Sequence, residues 1–306
     1  VIDLNFKLGE LTGPAGMAVL MILVQIVALL LVSPLNQYDL KAFENPESVL
    51  NPIIYIVMIL LFTGALLLII KYNIRWLIQG FIAFAVFSTL VYVIFALSIL
   101  LSPQISLDIA VIIAILSSLM LTALMFFYPE WYIIDIVGIL IAAGAAALFG
   151  VSLAIIPTLI LLIILAVYDF ISVYKTKHMI RLAEGVMDLK LPILFVLPRK
   201  WGYSFAKSRM KKLGESSERE AYFMGLGDAV MPAILAVSSN AFIKAPAIGF
   251  INIPALGVLI GTMISYAALM YFVFKGKPQA GLPFLCTGAI LGLIAGCVAA
   301  GVNPFF

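Results

Sequence analysis

Two aspartates interrupt stretches that are otherwise apolar: Asp169 within residues 165–174 and Asp228 within residues 223–235. An ionisable group at bilayer depth costs at least about 2–3 kcal/mol, so its first reading is functional, with a partner expected nearby. Each acid's obvious partner is the other. Two carboxylates that share a site cannot both ionise easily, so the pair holds one proton and titrates as a unit. The ionised member can take a proton from water while the protonated member polarises a carbonyl, which is the chemistry of an aspartic protease.

The surroundings of each acid differ. Asp228 follows Gly225-Leu226-Gly227 and precedes Pro232. The glycines lower helix stability and admit another backbone, while Pro232 has no N–H to give the Asp228 carbonyl four residues earlier. The expectation is a helix weakened on both sides of the acid. Tyr168 precedes Asp169, but adjacent helical residues point apart, so it is expected to line a groove rather than to bond the acid. Asp108, Glu130 and Asp135 fall at or near expected helix ends, where interfacial solvation accounts for them.

Elimination narrows the chemistry. The single histidine, His178, lies in a basic segment, which removes an intramembrane Ser–His pair, a His-rich zinc site and an HExxH helix. No GxSxG is present, no GxxxxGK[ST] loop occurs, and neither cysteine has a histidine to activate it. No metal and no cofactor are expected. Among familiar hydrolytic devices the carboxylate pair remains.

The elements that must position the pair are membrane helices. The chain is 64% hydrophobic and 11% charged, with a mean hydropathy of +1.20, far from a soluble average. Apolar runs of about 20 residues predict nine spans at 14–33, 52–70, 76–101, 109–128, 131–149, 151–174, 221–240, 248–274 and 280–300. The fold class is thus an all-α polytopic membrane protein. With the N-terminus cytoplasmic and the C-terminus extracytoplasmic, every Lys and Arg except Lys41 and Lys244 falls on the cytoplasmic side. Asp169 then stands six residues before Lys175 and Asp228 eight after Glu220, each roughly 9–12 Å below one membrane face at 1.5 Å per residue.

Three parts follow from this pattern: six helices over 1–174, a basic cytoplasmic loop over 175–220, and three helices over 221–306. Residues 1–13 carry Asp3, Lys7 and Glu10, and the first apolar run is too long for a signal-peptide core, so no cleavable leader is expected. Cys286 and Cys297 lie eleven residues apart on one helix, roughly 16 Å along its axis, too far for a disulfide. Gly288, Gly292 and Gly296 line one face of that last helix and permit close helix approach.

At these residues the chain resembles the presenilin and signal peptide peptidase family of intramembrane aspartyl proteases. Tyr168-Asp169 is similar to the family's YD motif, and Gly225-Leu226-Gly227-Asp228 to its GxGD motif. The resemblance extends to nine helices with the acids on the sixth and seventh. A basic cytoplasmic loop between them is similar to presenilins, whereas signal peptide peptidases have the opposite orientation. The stretch 191–198 looks like the hydrophobic part of the presenilin loop, which edges the active site in that family. The family's PAL motif opens the last helix. Ala280-Gly281-Leu282-Pro283 matches it by position, with the first Pro and Ala replaced, while the literal Pro254-Ala255-Leu256 begins the eighth helix and is read as coincidental. A 306-residue form without extended soluble regions resembles the archaeal members.

The resemblance implies transmembrane proteins or peptides as substrates, cleaved in the bilayer of the cell membrane, with no nucleic acid partner and homo-oligomerisation left open. A substrate helix must unwind before attack, and pairing as a strand with backbone near 191–197 or 280–283 is the expected way to hold it. Two other classes stay open on the residues alone: a proton- or cation-coupled transporter or channel, since intramembrane aspartates also serve as relays, and a prepilin-type GxGD peptidase.

Overall fold

The computed structural model describes residues 8–71, 75–173, 194–199, 221–274 and 279–303. Lys7, Tyr174, Lys275, Lys277 and the basic segment other than 194–199, His178 included, lie outside them. Among the described residues nine helices succeed one another: α1 Leu8–Gln37, α2 Leu50–Lys71, α3 Arg75–Leu101, α4 Leu107–Phe127, α5 Trp131–Ser152, α6 Ile155–Ile171, α7 Leu226–Phe242, α8 Ile253–Phe274 and α9 Gly281–Ala300. Strands β1 Leu194–Pro198 and β2 Ala221–Gly225 precede α7, and the short pair β3 Ala247–Ile248 and β4 Ile251–Asn252 joins α7 to α8. Among the described residues six helices are long and apolar enough to cross a membrane, and the apolar helices α6 and α7 are shorter. The chain is a largely helical, multi-pass membrane protein.

Three boundaries differ from the sequence reading, each for a local reason. Residues 221–225 are strand rather than the start of a helix, because they pair antiparallel with β1 from Leu194↔Gly225 to Pro198↔Ala221. Gly225 and Gly227 favour that break, since glycine is a poor helix former. Residues 247–252 form a hairpin around Gly249, whose φ of +68° suits glycine. Asn252 then starts α8 by accepting the Ala255 N–H on Oδ1 at 2.8 Å, and Pro254 occupies the first turn, where a missing N–H costs nothing. The break between α5 and α6 falls at Leu153–Ala154, not at Gly150, which is buried where a Cβ would collide with Val237 of α7.

The main core joins α1, α5, α7 and α9. On α7 the run Pro232–Ser239 is buried without interruption, so this helix lies at the centre of the bundle. The buried face of α5 is built from small residues, among them Gly138, Ala142, Ala143, Ala146, Ala147 and Gly150, which let neighbouring helices approach closely. In contrast, α2 and α4 expose large apolar side chains along most of their length, such as Leu61 and Leu116. That is the surface a helix presents to lipid.

Candidate active site

Asp169 lies two residues before the end of α6 and is 4% exposed. The chain then passes through a π-type turn at Ser172 and Val173, a distortion often found at functional sites. Asp228 occupies the first turn of α7, just after the strand-to-helix switch at Gly225, and is half-buried. Both acids are thus within about one turn of a helix end. Of the seven residues between Glu220 and Asp228, expected as helix, five are the strand β2.

A third element brings the acids together. The Leu282 N–H, at the start of α9, donates to Asp169 Oδ2 at 3.3 Å. The preceding residue, Gly281, lies against the other acid: a Cβ there would stand 3.2 and 3.3 Å from Asp228 Oδ2 and Oδ1. Two successive residues therefore lie one against each carboxylate. The helix ends contribute unequally. Free N–H groups at the starts of α7 and α9 favour negative charge, whereas the end of α6 opposes it, and the Leu282 N–H offsets that opposition at Asp169.

The remaining sequence candidates take distinct places. Gly225 caps α7, and a Cβ on it would meet Asp228 Oδ2 at an ordinary 3.6 Å, while a Cβ on Gly227 would meet nothing. Leu226 reaches Gly138 of α5. Tyr168 is exposed and does not join the carboxylates. Ala280 is the buried N-cap of α9, and Pro283 lies in its first turn. Pro232 remains inside α7 and leaves the Asp228 carbonyl without the usual donor. The literal Pro254-Ala255-Leu256 is at the other end of the α8–α9 pair, where Pro254 backs onto Gly296, about 22 Å along α9 from Gly281.

One acid departs from its expected explanation. Asp135 is buried, so interfacial solvation does not account for it; its Oδ1 accepts the Val196 N–H of β1 at 2.8 Å. The signal available in the sequence was its position, four residues after Trp131 and inside an apolar run. Asp108 is exposed at the start of α4, as expected. Among the described residues no group of His, Cys, Asp and Glu is placed to hold a metal ion. Cys286 and Cys297 are both buried and free.

Comparison with known proteins identifies the family. A comparison with curated proteins found no match. Two solved structures of a presenilin family intramembrane aspartate protease are similar to this chain. The form in the C222 space group is 41% identical with a TM-score of 0.70, covering 94% of this chain and 99% of that one. The form in the P2 space group is 41% identical with a TM-score of 0.68, covering 93% of this chain and 97% of the other. The family model described as signal-peptide peptidase, presenilin aspartyl protease matches residues 18–302. With that match covering most of the chain, the chain belongs to the signal-peptide peptidase and presenilin family of aspartyl proteases.

Proposed function

We propose that this intramembrane aspartyl protease hydrolyses peptide bonds in the transmembrane segments of its substrates with Asp169 and Asp228 as its two catalytic carboxylates. The observation that carries the assignment is the contact of Gly281 and Leu282 with both acids. The ionised acid deprotonates a water, which attacks the scissile carbonyl; the protonated acid donates to the carbonyl oxygen. Collapse of the tetrahedral intermediate returns a proton to the leaving amine and restores the singly protonated pair. Family membership favours neither a transporter nor a prepilin-type peptidase.

The substrate must expose its backbone, and β2 offers a place to pair it. Of the residues 191–197 expected to supply the edge, 191–193 lie outside the described residues, and β1 pairs with β2 on one side and is bonded through Val196 to α5 on the other. A substrate strand on the outer side of β2 would run toward Asp228, three residues beyond Gly225. The start of α9, Ala280 to Pro283, supports the acids from the opposite side.

The same reading places nine helices across the bilayer of the cell, with the N-terminus and the loop 175–220 cytoplasmic and the C-terminus outside. The charge distribution supports this orientation. The parts 1–174, 175–220 and 221–306 then serve as one scaffold, a loop that lends β1 to the site, and a second scaffold that carries Asp228 and the start of α9.

The test is cleavage of a transmembrane peptide by the purified, reconstituted protein. Asp169→Ala and Asp228→Ala are each expected to abolish cleavage while leaving the thermal transition unchanged; cleavage at the wild-type rate by both would defeat the reading. The pH profile is expected to be bell-shaped. At low pH both acids are protonated and no base remains; at high pH both are ionised and no acid remains. A monotonic profile in kcat/KM would exclude the shared-proton mechanism.

A further inference from the structure

Asp135 is a third acid within an apolar helix, and hydrolysis as proposed makes no use of it. It stands at the start of the second turn of α5, buried, with Oδ1 2.8 Å from the Val196 nitrogen. In an antiparallel ladder the N–H and C=O of one residue point to the same side, and the side alternates along the strand. Val196 gives its N–H to α5, so its polar groups face away from β2, and those of its partner Phe223 face away from β1.

The two edges of the sheet are therefore unlike. The outer edge of β1 is closed at Val196 by a carboxylate, a strong acceptor for a backbone N–H that water does not reach. The outer edge of β2 is open: Phe223 is exposed, and among the described residues no backbone hydrogen bond outside the sheet reaches its N–H or C=O. The rest of the seat fits the sheet closely. Phe195 lies over Gly138, one turn beyond Asp135, where a Cβ would come within 3.1 Å of its ring. On the other flank Leu197 and Tyr222 fill the space above Gly16 and Gly13 of α1.

We propose that Asp135 is a positioning residue for cleavage: by tying β1 to α5 it sets where the open edge of β2 lies relative to the two acids, and so which substrate bond is cut. The inference rests on the assignment of Asp169 and Asp228 as the cleaving pair. What matters is the acceptor oxygen and its place, not the charge.

The experiment uses the reconstituted full chain, one transmembrane peptide and mass spectrometry of the products. Asp135→Leu removes the acceptor and is expected to lower kcat about tenfold, the value of one hydrogen bond, with little change in KM and a spread of cleavage positions. Asp135→Asn keeps an acceptor oxygen and is expected to stay within about threefold of wild type and to cut at the same bonds. Val196→Pro deletes the donor from the other side; because that N–H lies outside the ladder, the strand tolerates the change. It is expected to reproduce the Asp135→Leu pattern, and it carries the test if Asp135→Leu does not fold.

Wild-type cleavage positions in both Asp135→Leu and Val196→Pro would overturn the proposal, as would Asp135→Asn behaving like Asp135→Leu. Asp169→Asn and Asp228→Asn run alongside. Continued cleavage by these two removes the assignment of the pair itself, whereas their inactivity with unshifted products in the Asp135 and Val196 variants removes only the positioning role.

Discussion

The two ends of α9 use glycine for opposite purposes. Toward its C-terminal end Gly288, Gly292 and Gly296 face Gly257, Gly261 and Ser265 of α8 so closely that a Cβ on Gly292 would collide with the Gly257 carbonyl and come within 3.0 Å of the Gly261 Cα. Backbone lies on backbone there, and neither side can yield. At its N-terminal end Gly281 meets a carboxylate instead, with its Cβ position 3.2 Å from an Asp228 oxygen. Across the same site Gly227 faces open space. One helix thus joins a rigid seam to a site with room in it. In the seam glycine supplies proximity; beside the acids it supplies room and a backbone that departs easily from helix.

This contrast separates rate from stability. The largest effect is expected for Asp228→Asn, a loss of activity of about a thousandfold or more with an unchanged melting temperature, read by peptide cleavage and by thermal unfolding in detergent. A large fall in melting temperature would show that the acid also holds the fold. Next comes Gly292→Val, which forces α8 and α9 apart at a cost of about 3 kcal/mol; its activity should disappear only as the protein unfolds, so a stable, inactive variant would break the division between the two ends. Gly281→Ala should lower kcat about tenfold at constant stability, because Asp228 must move by a few tenths of an ångström. Unaltered kcat would mean that the acids tolerate displacement. The smallest effect is expected for Gly227→Ala, where the added methyl meets nothing and stability should rise by less than about 1 kcal/mol. A marked fall in kcat/KM there would show that the substrate occupies this space.

The sequence made some of this legible and hid the rest for identifiable reasons. Asp169 and Asp228 stood out because ionised groups are costly in apolar runs, and the helices stood out because bilayer thickness sets their length. Residues 221–225 did not read as strand, since five mostly apolar residues before a helix look the same either way. Only pairing with 194–198, distant in sequence, decides between them. The hairpin at 247–252 merges into an apolar run, although Gly249 marks its turn and Pro254 the helix that follows. Nearness of Asp135 to a helix end suggests solvent, while its actual partner is the Val196 N–H of β1, a strand that its own five residues do not reveal. The position of Ala280 to Pro283 beside the acids was approached through helix order, yet the contact itself depends on how α9 lies across α6 and α7.

The lengths of α6 and α7 have a consequence for the surrounding lipid. Each has 17 residues, against 22 in α5 and 22 in α8. That is about 26 Å of helix, short of a hydrocarbon core of about 30 Å. In the proposed nine-span arrangement the bilayer must dip toward the ends of these two helices, as it does around any span shorter than its thickness. A dip on the face that carries both acids would bring the headgroup layer, and water with it, to the carboxylates, and lipids of longer chain, which deepen the mismatch, are expected to alter the cleavage rate without touching a protein residue.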